Sequence, residues 1–319
     1  MDEPTHQQGA GRASTAAPRF SIFIPTYNRA HLLPRALESI AAQTCRDFEV
    51  VIVDDGSTDG TAALVEAWQG RASFPIVYCR QENQGKHGAH NAALPLLRGE
   101  LTVILDSDDL LVPDALERLA RHWDAIPPDQ RPAFSGIEGL SAFFDGRLNG
   151  SGLPQPVLDA DYLSLRRRHR VRGDMKGCVR TDLLRRFPFP RFDGERHIRP
   201  SLLWNRIARE YRTRFVNEVI QRVEFQPGGL SSNRLRLRTS NPRGFRHYYL
   251  QEARQRDPSA SVSDQLAACA DYVRYSLHAG IGPARQARDL GRPWLWLASL
   301  PKGTLTFVLD RVKLLRAKA

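Results

Sequence analysis

Three short apolar runs in the first 110 residues each stop at a polar cluster, and that repetition limits the fold more than any other feature of the chain. Phe20-Ser21-Ile22-Phe23-Ile24 ends in Pro25-Thr26-Tyr27-Asn28-Arg29. Val50-Val51-Ile52-Val53 ends in Asp54-Asp55-Gly56-Ser57-Thr58-Asp59-Gly60, and Thr102-Val103-Ile104-Leu105 ends in Asp106-Ser107-Asp108-Asp109. Continuous runs of this length, rich in β-branched residues, suit strands buried on both faces. Between them, residues 30–43 space Leu32, Leu33, Ala36, Leu37 and Ile40 along one helical face. Residues 61–69 do the same with Ala62, Leu64, Val65 and Trp68, after a start signal at Ser57, Thr58 and Asp59. Strands alternating with helices predict an α/β fold with a parallel central sheet, whose ligand crevice lies outside the carboxyl ends of the strands. The three polar clusters are therefore expected to form one site.

Within that site, Asp106 and Asp108 are separated by a single serine. Alternation along a strand puts residues i and i+2 on one side, so both carboxylates are expected to face the same way where the run ends. Two hard oxygen ligands suit Mg²⁺ or Mn²⁺, which keep several waters and complete their shell with substrate phosphates. The competing reading is a pair of ordinary acidic loop residues after a buried strand. Asp55 and Asp59 read equally well as caps of the following helix.

Missing motifs narrow the ligand. No Gly-x-Gly-x-x-Gly follows the first run, which argues against a dinucleotide fold, and Gly85-Lys86 is followed by His87 without the upstream glycine of a phosphate loop. A phosphatase of the Asp-x-Asp-x-Thr kind needs threonine where Leu110 stands. What remains is a nucleotide whose diphosphate is held through a metal.

The ordered motifs resemble the family 2 glycosyltransferases of GT-A fold. They are Ile24 to Arg29, Asp54 to Thr61, Asn83-Gln84-Gly85-Lys86-His87-Gly88-Ala89-His90-Asn91, and Leu105 to Asp109. Gly173-Asp174, Arg180 to Leu184, Phe187 to Pro190, Gly194-Glu195-Arg196 and Leu203 to Ala208 are similar to the acceptor half of a bacterial branch, so the likeness covers residues 20–232. It implies an inverting transferase that moves a sugar from a nucleotide diphosphate donor, UDP-linked, to a glycan or lipid-linked saccharide in cell-surface polysaccharide synthesis. By the same resemblance Pro25, Thr26, Tyr27, Arg29, Asp54, Lys86, Asp106 and Ser107 are expected to bind the nucleotide and Asp108 the metal. A divalent cation neutralises the charge that grows on the leaving diphosphate.

An inverting transferase also needs a general base for the acceptor hydroxyl. Members of the family carry a second acid after Gly-Glu, where this chain has Pro200. Glu195 becomes the first candidate and Asp193 the second, with Asp174 behind them and His197 as a residue that titrates near neutrality. The segment around Trp204 reads as core more than as a sugar platform. Two other classes stay open: a non-catalytic nucleotide-sugar-binding homologue, and a nucleotidyltransferase, which would be expected to carry a basic, glycine-rich loop at Pro25 to Arg29.

Charge divides the chain. Residues 1–150 hold 13 Lys and Arg against 20 Asp and Glu, and residues 151–319 hold 33 against 15, giving −7 and +18. A basic acceptor half points to an anionic acceptor or surface, although a merely solvated basic face reads nearly as well. Nucleic acid is disfavoured, because Arg166 to Arg170 and Arg234, Arg236 and Arg238 lack interleaved aromatic residues for stacking bases. Four cysteines without metal spacing read as free thiols of a reducing compartment, and the first 18 residues lack the apolar core of a signal peptide, so a cytoplasmic protein is expected. The domain reading is a flexible tail at 1–18, a catalytic domain at 19–232 divided at residue 110, and a basic helical extension at 233–319. In that extension, residues 264–279 place Leu266, Ala270, Val273 and Leu277 on one face. Trp294 to Leu300, then Leu305 to Leu309, precede Arg311, Lys313, Arg316 and Lys318. This last stretch is too short in apolar residues to span a bilayer. It suits a helix lying in the interface on the inner face of the plasma membrane, a dimer contact, or a helix covering the domain.

Overall fold

The computed structural model describes residues 16–224, 234–255 and 261–317, together with the backbone of strand His6–Gln8. The other residues expected to form the N-terminal tail, up to 15, and the 232/233 boundary lie outside the described residues. The strands are β1 (His6–Gln8), β2 (Phe20–Thr26), β3 (Phe48–Asp54), β4 (Ile76–Arg80), β5 (Leu101–Ile104), β6 (Leu110–Leu111), β7 (Phe134–Phe143), β8 (Val157–Ala160), β9 (Met175–Arg180) and β10 (Arg212–Val223). The helices are α1 (Leu33–Ala41), α2 (Thr61–Arg71), α3 (Lys86–Ala93), α4 (Ala115–Asp124), α5 (Tyr162–Arg167), α6 (Thr181–Arg186), α7 (Ser201–Ala208), α8 (Arg234–Thr239), α9 (Pro242–Arg254), α10 (Val262–His278), α11 (Pro283–Leu290) and α12 (Pro293–Arg316).

All the strands join one sheet in the order β1-β4-β3-β2-β5-β9-β7-β10-β6, with β8 on β10. Pairings of β4 with β3, β3 with β2, and β2 with β5 are parallel. The three apolar runs are the middle strands of this half, as their continuous hydrophobicity demands. From β2 the chain steps outward to β3 and β4, then returns to place β5 on the other side of β2. That reversal makes a switch point, where a crevice opens between the carboxyl ends of β2 and β5. The other half was not legible in the sequence: β9 runs antiparallel to β5 and β7, and β10 lies parallel to β7.

The chain divides into two compact units. The first runs to Phe189 and resumes from Leu203, and the second comprises Pro190–Leu202 with the residues after Gln226. The core of the first unit gathers Ile22, Ile24, Val50, Ile52, Leu101, Val103 and Trp123, all at most 2% exposed. Pro34, near the start of α1, presets the first helical turn, and Leu33, Ala36, Leu37 and Ile40 bury its inner face. In the second unit Leu250, Ala253, Cys269, Tyr272, Val273 and Leu290 form a separate core between α9, α10, α11 and α12. There Ser261 and Asp264 close a reciprocal cap on α10. The four cysteines are free thiols.

Candidate active site

The turn after β2 and the turn after β3 are fastened to each other. Asn28, in the left-handed region at φ 52°, donates its backbone N–H to Ser57 Oγ (2.8 Å), while its Oδ1 accepts from Thr58 N (2.8 Å). Asparagine tolerates this conformation because its short amide bonds locally. Asp54 is fully buried: Oδ1 accepts from Ser57 N at 2.8 Å and Oδ2 from the Tyr78 hydroxyl at 2.7 Å. Burial and the Asp54 charge raise the Tyr78 hydroxyl far above the usual phenol range, so it stays a donor. Asp54 thereby shapes the turn.

The two neighbouring acids separate in role. Asp59, one residue before the N-cap Gly60, accepts from Thr61 N (3.1 Å) at the start of α2 and from Ala30 N (3.1 Å) after β2. Asp55 does not cap α2. Its Oδ1 accepts from Gln81 Nε2 (2.7 Å) and Gln84 N (2.8 Å), and its Oδ2 from Gly85 N (2.7 Å), which fixes the loop leading into α3. Gly85 sits at φ 83°, a conformation that a side chain disfavours, and it delivers Lys86 to the first position of α3.

Lys86 reaches across to Asp106, with which it forms a short ion pair. The Asp-Ser-Asp sequence itself is not on a strand. β5 stops at Ile104, and Asp109 N bonds Asp106 O (2.9 Å) to close a turn over Ser107 and Asp108. Strand alternation therefore does not set the two carboxylates, contrary to the expectation from spacing, because pleating ends two residues too early.

A second cation completes the cluster. Lys176, on β9, lies 3.1 Å from Asp109 Oδ2 and 3.6 Å from Asp106 Oδ2. Burial alone would lift the Asp106 pKa, but Lys86 and Lys176 outweigh it and hold the carboxyl far below the usual range. Asp109 goes the other way, pushed up to about 6 by burial despite Lys176. Asp108 is raised by burial and by the Asp106 charge, against the pull of Arg29 and Lys86. Among the described residues neither lysine pairs with Asp108. Nor do the described residues hold a cluster of three or more His, Cys, Asp or Glu arranged for a metal. One half-buried carboxylate with raised proton affinity fits Mg²⁺ or Mn²⁺, which take one or two protein carboxylates and draw their other ligands from water and phosphate.

Around the cluster, Thr26 is buried with its Oγ1 lacking a hydrogen-bond partner among the described residues, Pro25 and Ser107 are buried, Arg29 is half-buried, and Tyr27 stands 45% exposed. His90 packs edge-on against Phe189, ring centres 5.1 Å apart, and burial aided by the Lys86 charge lowers it to about 4, so it is a neutral imidazole at physiological pH.

The candidate bases lie in the second unit. Glu195 is half-buried, Oε1 accepting from Arg243 N (2.7 Å) and Oε2 from Gly244 N (2.8 Å), so it caps the first turn of α9. Burial raises its pKa against those two N–H donors. Asp193 is exposed. His197 stacks on Phe245 at 5.7 Å and gives its backbone N–H to Asn241 Oδ1 (2.9 Å). In the first unit, Asp174 is exposed and Trp204 lines a small cavity with Glu138, Tyr162 and Cys178. Lys176 was not singled out in the sequence. Its one signal is a charge in register with buried Cys178 on the same face of β9, and that signal exists only once the strand is known.

A mixed sheet with this switch point and an acidic turn at the end of its fourth parallel strand defines the GT-A fold. Residues 21–135 match the profile of Glycosyl transferase family 2. The chain is 43% identical over 106 residues to a PGL/p-HBAD biosynthesis glycosyltransferase of Mycobacterium tuberculosis, covering 33% of this chain and 41% of that one. It is 41% identical over 147 residues to the succinoglycan biosynthesis protein ExoO of Rhizobium meliloti, covering 45% and 41%. The chain thus spans less than half the length of these relatives. Among solved structures it is similar to S. aureus TarS 1–349 in complex with UDP-GlcNAc, with a TM-score of 0.54 and 18% identity over 92% of each chain. It is also similar to the mannosyltransferase PcManGT of Pyrobaculum calidifontis in complex with GDP-Man and Mn²⁺, at 0.54 and 23% identity over 93% and 88%. At such identities the fold is what is shared. Over residues 21–135 the chain is thus similar to glycosyl transferase family 2.

Proposed function

We propose that this protein transfers a sugar, with inversion, from a nucleotide diphosphate donor to a glycan or lipid-linked saccharide, using Mg²⁺ or Mn²⁺. The observation that carries the reading is the acidic turn Asp106 to Asp109 at the switch point, neutralised by Lys86 and Lys176. The turns after β2 and β3, with Thr26 Oγ1 unbonded among the described residues, would supply polar groups for base and ribose. Asp108 would hold the cation, which stabilises the leaving diphosphate when bound. Lys86, exposed at the N-terminus of α3, is placed to exchange Asp106 for a phosphate oxygen, and the helix N-terminus favours the same charge. UDP is the nucleotide we take for the test; neighbours of this fold include TarS with UDP-GlcNAc and PcManGT with GDP-Man.

For the base we take the acids flanking Gly194. The two amides that Glu195 accepts favour Asp193 for proton abstraction and give Glu195 the task of tying this segment to α9. The test of the reading is calorimetric titration of UDP with and without Mn²⁺. The parent should bind in a metal-dependent manner and Asp108→Asn should lose that dependence while keeping its fold. Equal Mn²⁺-dependent affinity in both proteins removes Asp108 as the ligand.

A further inference from the structure

Helix α12 carries two opposed seams. Ser299, Gly303 and Asp310 are buried, and each is fastened to α10. Ser299 Oγ donates to Leu266 O (3.4 Å), and a Cβ placed on Gly303 would lie 2.6 Å from Val273 Cβ, so the two backbones approach closely there. Asp310 accepts from Arg274 Nε (2.6 Å) and Nη2 (2.7 Å), with His278 Nε2 at 3.0 Å. These contacts fix the rotation of the helix.

The opposite side is apolar. Trp294, Leu297, Pro301, Leu305, Val308, Val312 and Leu315 follow one another at steps of three or four residues, which is one continuous face at 3.6 residues per turn. Trp294 is 82% exposed, Leu305 58% and Leu315 66%. Along about 36 Å, the length of 24 helical residues, this face is unpartnered among the described residues. Helical spacing puts Lys302 and Lys313 along one edge of the seam, Arg311 along the other, and Arg316 at its end.

Charge decides what covers it. Asp310 is the only acid in α12, and it is taken by Arg274 and His278. A two-fold contact between copies of this helix would oppose lysine and arginine with lysine and arginine, because an isologous interface presents the same patch twice. Lipid phosphates offer the missing anions on both edges, while leucines, valines and a tryptophan fit the boundary of the acyl chains and the cations extend outward to the headgroups. No helix among the described residues is long and apolar enough to cross a membrane. We propose that α12 lies in the plane of an anionic lipid surface, with the Trp294 to Leu315 seam inserted and its flanking cations on the lipid phosphates. This deepens the reading of a lipid-linked acceptor but does not depend on UDP binding, so the two fail separately.

The test is flotation of the full chain with vesicles of phosphatidylcholine alone or with one quarter phosphatidylglycerol. Binding is expected to the anionic vesicles and to fall at least tenfold between 0.05 and 0.5 M NaCl, since exposed charges are screened within roughly 8 Å at physiological ionic strength and less above it. Leu305→Glu with Val312→Glu should weaken binding at least tenfold with unchanged circular dichroism and unchanged Mn²⁺-dependent UDP affinity. Lys302→Glu with Lys313→Glu leaves the seam intact and should remove the preference for anionic lipid. The proposal is overturned if the parent stays unbound at low salt or if both variants float like the parent. It is equally overturned if light scattering shows a dimer that the Leu305→Glu, Val312→Glu protein loses while neither protein binds vesicles.

Discussion

Replacing Lys176 by methionine removes one cation from a group of carboxylates and keeps most of the side-chain volume. Its Nζ stands 3.1 Å from Asp109 Oδ2 and 3.6 Å from Asp106 Oδ2. At an effective dielectric constant of 20 each contact has a Coulomb energy of about 5 kcal/mol before any desolvation is counted. Burying the ammonium offsets much of that, and removing one partner of a buried pair leaves a net loss of about 3–5 kcal/mol. Asp109, already pushed to about 6, can relieve part of the loss by taking up a proton. The expected loss at pH 8 is therefore about 3 kcal/mol, and it shrinks at pH 6. For a unit of 150–250 residues this corresponds to a fall in melting temperature of roughly 6–12 °C. A divalent cation can replace the missing charge, so Mn²⁺ should raise the melting temperature of Lys176→Met more than that of the parent. Saturation at 100 times the dissociation constant is worth about 2.7 kcal/mol. Calorimetric scans at pH 6 and 8, with and without millimolar MnCl₂, measure all of this. A loss below about 1 kcal/mol, or an equal Mn²⁺ shift in both proteins, refutes the argument that Lys176 acts as the resident counter-cation.

Glu138 gives a pH prediction from the same sheet. Its Oε2 is buried without a hydrogen-bond partner among the described residues, and burial lifts its pKa to about 7 against the attraction of Arg166 and Lys176. Between the ordinary value of 4.5 and about 7 the folded protein holds a proton that the unfolded chain has released, so this group's contribution to stability falls as pH rises through that window. Glu138→Gln should therefore gain on the parent between pH 5 and pH 8 in urea denaturation, and parallel curves would contradict it. For the base, Asp193→Asn should lower transfer by about 10² to 10⁴ while leaving UDP binding intact. Glu195→Gln should instead lose stability, because an amide places an NH₂ group against one of the two N–H donors of α9. Normal turnover by Asp193→Asn with none by Glu195→Gln would reverse these two roles.

The parallel half of the sheet was legible because it is encoded locally. An apolar run buried on both faces and the turn that ends it are adjacent in sequence, so β2, β3 and β5 and their polar clusters could be read from spacing, as could α1, α2 and α10. The chain itself also specifies the tail as an apolar segment flanked by cations. It does not say which seam faces α10. That depends on the Arg274 to Asp310 pair, 36 residues apart, and on the close approach at Gly303. Strands β7, β9 and β10 of the mixed half were missed because their contacts join distant segments. Lys176 meets Asp109 across 67 residues only because β9 lies beside β5. The same cause separates Asp55 from Asp59 and turns Glu195 into a helix cap: a carboxylate bonds whichever N–H donors the fold brings within reach. Sequence by itself determined the fold class and the polar turns that end β2, β3 and β5. Tertiary structure alone decided which of those charges are already partnered, because pairing energy depends on distances between atoms that sequence separation does not specify.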